Sequence, residues 1–287
     1  MKRLFIATLL ALSINTAYAG LKEGIEAYDN DYYATAMKEF DPLAAQGNAE
    51  AQYYLGVMYD FGYGVAEDDK QAFDWYLKSA EQGHAKAQFN LGYSYDLAEG
   101  VEQNDVKATE WYTKAAIQGH LDAQYNLANQ YADGKGIAQD LQQAIIWYTK
   151  AIENGDQGDS QYNLALLYHD GQVNDVKNGQ KIPVDYAKAM YWYKVAADDY
   201  NDVDSQTNIG FMYDKGQGVP QSYKKALQYY HLAAAQDDAQ AQYNIGNMYE
   251  KGQGVAKNIK TAILWYKKAA ANDLDDAIQA LKNLKQR

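Results

Sequence analysis

All five tryptophans of this 287-residue chain fall at one phase of a repeat. Trp75, Trp111 and Trp147 are 36 residues apart, Trp192 follows 45 later and Trp265 comes after a further 73. The last gap splits as 37 + 36, with Tyr229 at the intervening position. A period in this range marks stacked supersecondary units, none of which can bury its apolar face alone. It favours one elongated domain, although the length alone would allow two globular ones. Extended arrays of this kind present a surface and usually bind rather than catalyse.

Six units share the frame: 49–84, 85–120, 121–156, 157–201, 202–238 and 239–274. The fourth carries about nine extra residues after Gly171, spread over Val173 to Pro183, and its polar character predicts a surface loop. Within the first unit Ala51, Leu55 and Tyr59 share one helical face, and Ala72, Trp75, Tyr76 and Ser79 share another. Between them lies Gly62-Tyr63-Gly64-Val65, where a tight helix-to-helix connection needs angles that side chains resist. Gly83, Gly119 and Gly155 fall just past the second helices as left-handed caps. Asp237 and Asp273 stand at that phase in later units and tolerate the same conformation.

Both ends depart from the frame. Residues 20–48 predict a capping hairpin, with Ala36 and Phe40 at second-helix phases but Glu39 where Trp would stand. Residues 275–287 predict a capping helix whose stripe is Ile278, Leu281 and Leu284. The first 19 residues predict a cleaved export signal: Lys2 and Arg3, the apolar run Leu4 to Leu12, and Ala17-Tyr18-Ala19 before Gly20. That run is too short to span a bilayer, and no other stretch matches it. The expected address is a bacterial periplasm, or outside the cell. Cysteine is absent, so neither disulfides nor thiolate metal sites can form. Losing Lys2 and Arg3 would move the formal charge from −12 to −14, which disfavours nucleic acid and anionic membranes and suits a basic partner.

The pattern A-x-A-Q-Y-N-L-G-x-x-Y-x-x-G-x-G-V followed by K-A-x-x-W-Y-x-K-A-A-x-x-G resembles the Sel-one-like repeat of the tetratricopeptide superfamily. Ala239 to Val255 departs from the first part only at Ile245, and Thr261 to Ala270 from the second only at Thr261. Other departures are Ala98 at the first turn glycine and Ala128 and Ala165 at the helix glycine. The resemblance implies an all-α, right-handed superhelical solenoid that binds proteins in the cell envelope. Among its implied roles is an immunity protein against a toxic periplasmic enzyme. It implies no cofactor and no membrane anchor, and it leaves the oligomeric state open.

By the same resemblance the first helix of each unit lines a concave groove. Three series would face it: Tyr53, Phe89, Tyr125, Tyr162, Thr207 and Tyr243; Val57, Tyr93, Asn129, Leu166, Phe211 and Asn247; and Asp60, Asp96, Ala132, His169, Asp214 and Glu250. Together they predict aromatic walls over an acidic floor, fitted to a basic or aromatic segment of a partner. The tryptophans and most repeat-phase tyrosines read as core, and the asparagines Asn90, Asn126, Asn163, Asn208 and Asn244 as bonding a neighbouring turn.

Signals for catalysis are few. His84, His120, His169 and His231 have no metal-site spacing, and His84 and His120 read as surface turns. Gly134-Lys135-Gly136 lacks the remaining parts of a phosphate loop, and Asp133 to Asp140 has too few oxygen ligands for calcium. Some relatives are described as penicillin-binding, which makes Ser222-Tyr223-Lys224-Lys225 a formal S-x-x-K match and a β-lactam enzyme the alternative reading. Ser222 also stands where a helix N-cap is wanted.

Overall fold

The computed structural model describes residues 19–171 and 183–285; the expected export signal, apart from Ala19, and most of the inserted segment lie outside the described residues. Among these residues every regular element is a helix. α1 covers 19–29. It is followed by α2 (Tyr33–Ala45), α3 (Ala49–Asp60), α4 (Asp69–Glu81), α5 (Ala85–Leu97), α6 (Asp105–Ile117), α7 (Leu121–Asp133) and α8 (Leu141–Glu153). Next come α9 (Asp159–Asp170), α10 (Tyr186–Tyr200), α11 (Val203–Lys215), α12 (Tyr223–Ala234), α13 (Ala239–Lys251), α14 (Ile259–Ala271) and α15 (Asp275–Lys285). Helices consecutive in the chain pack on one another from α2 to α7 and from α9 to α15. By its contacts the chain divides into two compact units, 1–147 and 148–287.

The centre of each helix pair is a tyrosine, not the tryptophan before it. Tyr76, Tyr112, Tyr193, Tyr230 and Tyr266 are all almost fully buried. A glycine in the preceding helix makes room for the ring. A β-carbon on Gly56 would stand 2.5 Å from the Tyr76 ring, on Gly210 2.6 Å from Tyr230, and on Gly246 2.6 Å from Tyr266. Trp147 is buried, but Trp75, Trp111, Trp192 and Trp265 are only half-buried. Lys78, Lys114 and Lys268 lie over the rings of Trp75, Trp111 and Trp265 at 3.8, 3.4 and 4.5 Å. A lysine four-carbon stem covers apolar surface while its ammonium meets both the ring face and water. This corrects the core assignment for these four tryptophans, which sit at the margin of the core, while Trp147 is core as expected.

The amino-terminal hairpin is the same device with different residues. Phe40 is fully buried where the tyrosine would be, and a β-carbon on Gly24 would meet its ring at 2.6 Å. At the far end Ala277 is the buried residue of α15, while Ile278, Leu281 and Leu284 are half-buried and Lys282 and Lys285 exposed.

The invariant-looking glutamine of the repeat stitches neighbouring units together. Gln52 Nε2 donates to the Ala44 carbonyl at 3.0 Å, Gln88 to Ala80 at 3.1 Å and Gln124 to Ala116 at 3.1 Å. These carbonyls belong to the last turn of the preceding helix, where they also accept from the N–H groups of Gly47, Gly83 and Gly119. The side-chain oxygens accept in turn from the end of the same unit's second helix, Gln52 from Gln82 and Gln88 from Gln118, both at 2.7 Å.

The two turn glycines have separate tasks. The first takes the left-handed conformation that ends the first helix, as at Gly134, Gly216 and Gly252. The second lets the turn touch the preceding unit: a β-carbon on Gly100 would stand 2.1 Å from the Asp69 carbonyl oxygen, and on Gly136 2.0 Å from that of Asp105. The expected left-handed caps at Gly83, Gly119, Gly155, Asp237 and Asp273 all have positive φ.

Candidate functional site: an acidic aromatic cleft

The first helices place Tyr53, Val57 and Asp60 on α3 and Phe89 and Tyr93 one unit later on α5, and all five line one cleft of about 610 Å³. Phe61, Tyr76, Asn90 and Ser94 complete its aromatic and polar walls. Its remaining lining is acidic: Glu67, Asp69 and Glu99 join Asp60. Val57 is buried, so it supports the floor, while Tyr93 and Phe61 are exposed at the rim. The sequence could not single out Glu67, Asp69 and Glu99, because they sit in a connection, a helix start and a neighbouring turn rather than on a first helix.

The acidic series has a structural partner that periodicity alone did not show. Tyr76 Oη donates to Asp60 Oδ2 at 2.8 Å, Tyr112 Oη to Asp96 Oδ2 at 3.3 Å, and Tyr266 Oη to Glu250 Oε2 at 2.8 Å. Asn90 and Asn126 from the following units bond the Tyr76 and Tyr112 hydroxyls. That partner replaces the neighbouring turn expected for these two asparagines. His169 takes the acidic phase in the fourth unit, bonding Asp170 and Gln217, and the buried Tyr193 hydroxyl there has no partner among the described residues.

Burial raises the Asp60 carboxyl pKa; its Tyr76 bond lowers it, and the charges of Asp69 and Glu67 raise it again. Glu99 is raised as well, first by burial and then by Asp60 and Asp69. The Tyr53 hydroxyl is pushed up to about 12 by burial, so it stays a donor.

The other expected groove residues are dispersed. Asp96 is neutralised by Lys135, whose ammonium also lies 3.6 Å from Asp105. Phe211, Asp214 and Asn247 line a smaller cleft of about 120 Å³ with Lys215 and Lys251. Asp214 is paired there with Lys215 at 2.7 Å. Tyr162 and Tyr243 pack against the buried rings of Tyr193 and Tyr266 at 6.0 and 5.6 Å. Tyr125, Asn129, Ala132, Leu166 and Thr207 are half-buried on their first helices.

Two expectations outside the groove change or acquire a structure. His84 and His120 are half-buried N-caps rather than surface turns, accepting from Ala87 N and Ala123 N and stacked on Tyr53 and Phe89. Ser222 caps α12, accepting from Lys225 N at 3.4 Å, and the Lys225 ammonium lies over the Tyr213 ring.

Helix hairpins packed on their neighbours define a tetratricopeptide-like repeat protein. The Sel1 repeat model matches residues 49–84, 85–120, 121–156, 158–201, 203–238 and 239–274, and the chain belongs to this family. Its structure is similar to c5321, a protective antigen present in uropathogenic Escherichia coli strains displaying an SLR fold. The two share 30% identity and a TM-score of 0.79, over 94% of this chain and 57% of that one. A Sel1 repeat protein from Oxalobacter formigenes is 34% identical with a TM-score of 0.70, over 87% of this chain and 96% of its own. Among curated proteins none matches the sequence. Sel1 repeats generally mediate protein–protein interactions, and the fold is typically a non-enzymatic scaffold.

Proposed function

We propose that the chain is an exported, non-enzymatic scaffold of the bacterial cell envelope that takes a basic or aromatic segment of a partner protein into the first cleft. One observation carries this reading: Tyr53, Asp60, Phe89 and Tyr93 share a cleft with Glu67, Asp69 and Glu99. Large aromatic side chains concentrate binding energy, while carboxylates speed the approach of a basic segment and exclude acidic ones. Its narrower form is an immunity protein whose partner is a toxic periplasmic enzyme with a basic face. Export is supported by the basic start, apolar run and A-x-A site within the first 19 residues.

Two measurements test the reading. Cell fractionation should find a soluble product starting at Gly20, whereas a full-length membrane-retained species would overturn the address. Pull-down from envelope extract should recover a protein partner that is lost on Tyr93→Ala with Phe89→Ala. The exposed pair Tyr191→Ala with Leu264→Ala should retain it. Equal loss from both pairs would sink the cleft assignment.

A further inference from the structure

The middle residue of the glycine turn reaches back onto the preceding unit, and its contacts recur along the array. Tyr63 stacks on Tyr33 at 4.7 Å and meets Tyr28 edge-on at 6.1 Å. Lys135 bridges Asp96 and Asp105. Gln217 bridges His169 and Tyr186 at 3.1 and 3.2 Å. In each case the two contacted residues are the last-turn position of the preceding first helix and the first residue of its second helix. The close approach of the second turn glycine sets this geometry, since the turn backbone rests on the start of that second helix.

Glu99 occupies the same turn position, 36 residues before Lys135. The residues it faces are Asp60 and Asp69, which lie 36 residues before Asp96 and Asp105. At this one junction the closing residue carries the same charge as the pair beneath it. None of Asp60, Glu67, Asp69 and Glu99 forms an ion pair among the described residues. Burial first, and the neighbouring carboxylates after it, make Asp60 and Glu99 hold their protons more tightly than ordinary carboxyls.

We propose that the first cleft binds a lysine side chain of a partner protein, its ammonium set between Asp60 and Asp69 where the next unit sets its own Lys135. The proposal rests on the scaffold reading and names the chemistry of the segment it holds. The aromatic walls Tyr53, Phe89 and Tyr93 would carry the four-carbon stem and meet the cation on ring faces. A bare metal ion fits less well, because among the described residues no three His, Asp or Glu side chains converge closely enough to hold one.

The test uses a fluorescein-labelled Lys-Leu-Lys-Tyr-Lys peptide and its fully acetylated counterpart, with anisotropy as the readout. The native chain should bind the lysine peptide at least tenfold more tightly than the acetylated one. Glu99→Lys copies the next junction and should weaken binding at least tenfold while raising the melting temperature, a result that needs no partner. Lys135→Glu should lower the melting temperature and add a second peptide site. Glu110→Lys makes the same charge change on the exposed side of α6 and should leave binding within about twofold. Unchanged binding in Glu99→Lys, an equal loss in Glu110→Lys, or displacement of the peptide by millimolar calcium would overturn the proposal. Partner recovery from envelope extract alongside any of these results would leave the scaffold reading standing and the lysine site refuted.

Discussion

At the scale of single residues, the glycine inside the first helix and the tyrosine of the second explain one another. Replacing a helical glycine by alanine ordinarily stabilises by about 1 kcal/mol. At Gly56 the added methyl would stand 2.5 Å from the Tyr76 ring, a ring walled in on all sides. Overpacking of that kind costs about 1–3 kcal/mol, so the steric term outweighs the propensity gain. Gly56→Ala should therefore be destabilising in urea melts, and a net gain would show that the ring can step aside. Both residues were visible in the repeat, but their contact was not, because periodicity gives phase along a helix and not the partner across it. The carboxyls of the cleft supply a second test. Folding raises the pKa of Asp60 and Glu99, so in the window above the ordinary carboxylate value the native state holds protons that the unfolded chain has released. Stability from these groups thus falls as pH rises through that window. Moving from pH 7 to about 5 should stabilise the native chain through them, and Glu99→Gln should reduce that gain. A pH dependence identical in the variant would show that Glu99 does not feel its neighbours.

At the scale of elements, the turn was legible in the sequence and half of its purpose was not. The first glycine announces a left-handed helix end, and the one departure confirms the rule: Ala98 ends α5 at φ 65° and ψ 33°. A non-glycine residue costs roughly 1–2 kcal/mol there, so Ala98→Gly should stabilise by about 1 kcal/mol, measured by thermal or urea melts. No change would mean that the turn relaxes without strain. The second glycine owes its place to a neighbouring unit, and nothing local in the sequence signals an approach of 2.1 Å to Asp69. The same holds for the caps. Ser222 was legible because its short polar side chain is a usual N-cap type. His84 and His120 were not, since imidazole takes that place here by stacking on Tyr53 and Phe89 of the preceding first helix.

At the scale of the whole molecule, the repeat frame in the sequence and the helix pairs in the structure coincide, because each unit needs only its neighbours to close its apolar face. The candidate site was legible to the extent that it lies on one face of the first helices. Its acidic half was not, since Glu67, Asp69 and Glu99 come from three different segments. Nearest-neighbour stability has a consequence for how damage spreads. A β-carbon on Gly246 would crowd the Tyr266 ring at 2.6 Å, and α13, α14 and α15 are followed by no further described helix. Helices near an end can open without breaking packing on both sides, so a loss there is absorbed locally. Gly92→Ala crowds Tyr112 at 2.8 Å in a unit with described helices before and after it, and opening it breaks two interfaces. Native-state hydrogen exchange should therefore show Gly246→Ala speeding exchange in α13 to α15 while residues 19–147 keep their protection. Gly92→Ala should lower protection on both sides of α5 and α6. Uniform loss across all helices in both variants would mean that the chain unfolds as one cooperative body, and the stitching by Gln52, Gln88 and Gln124 would then be strong enough to couple every unit.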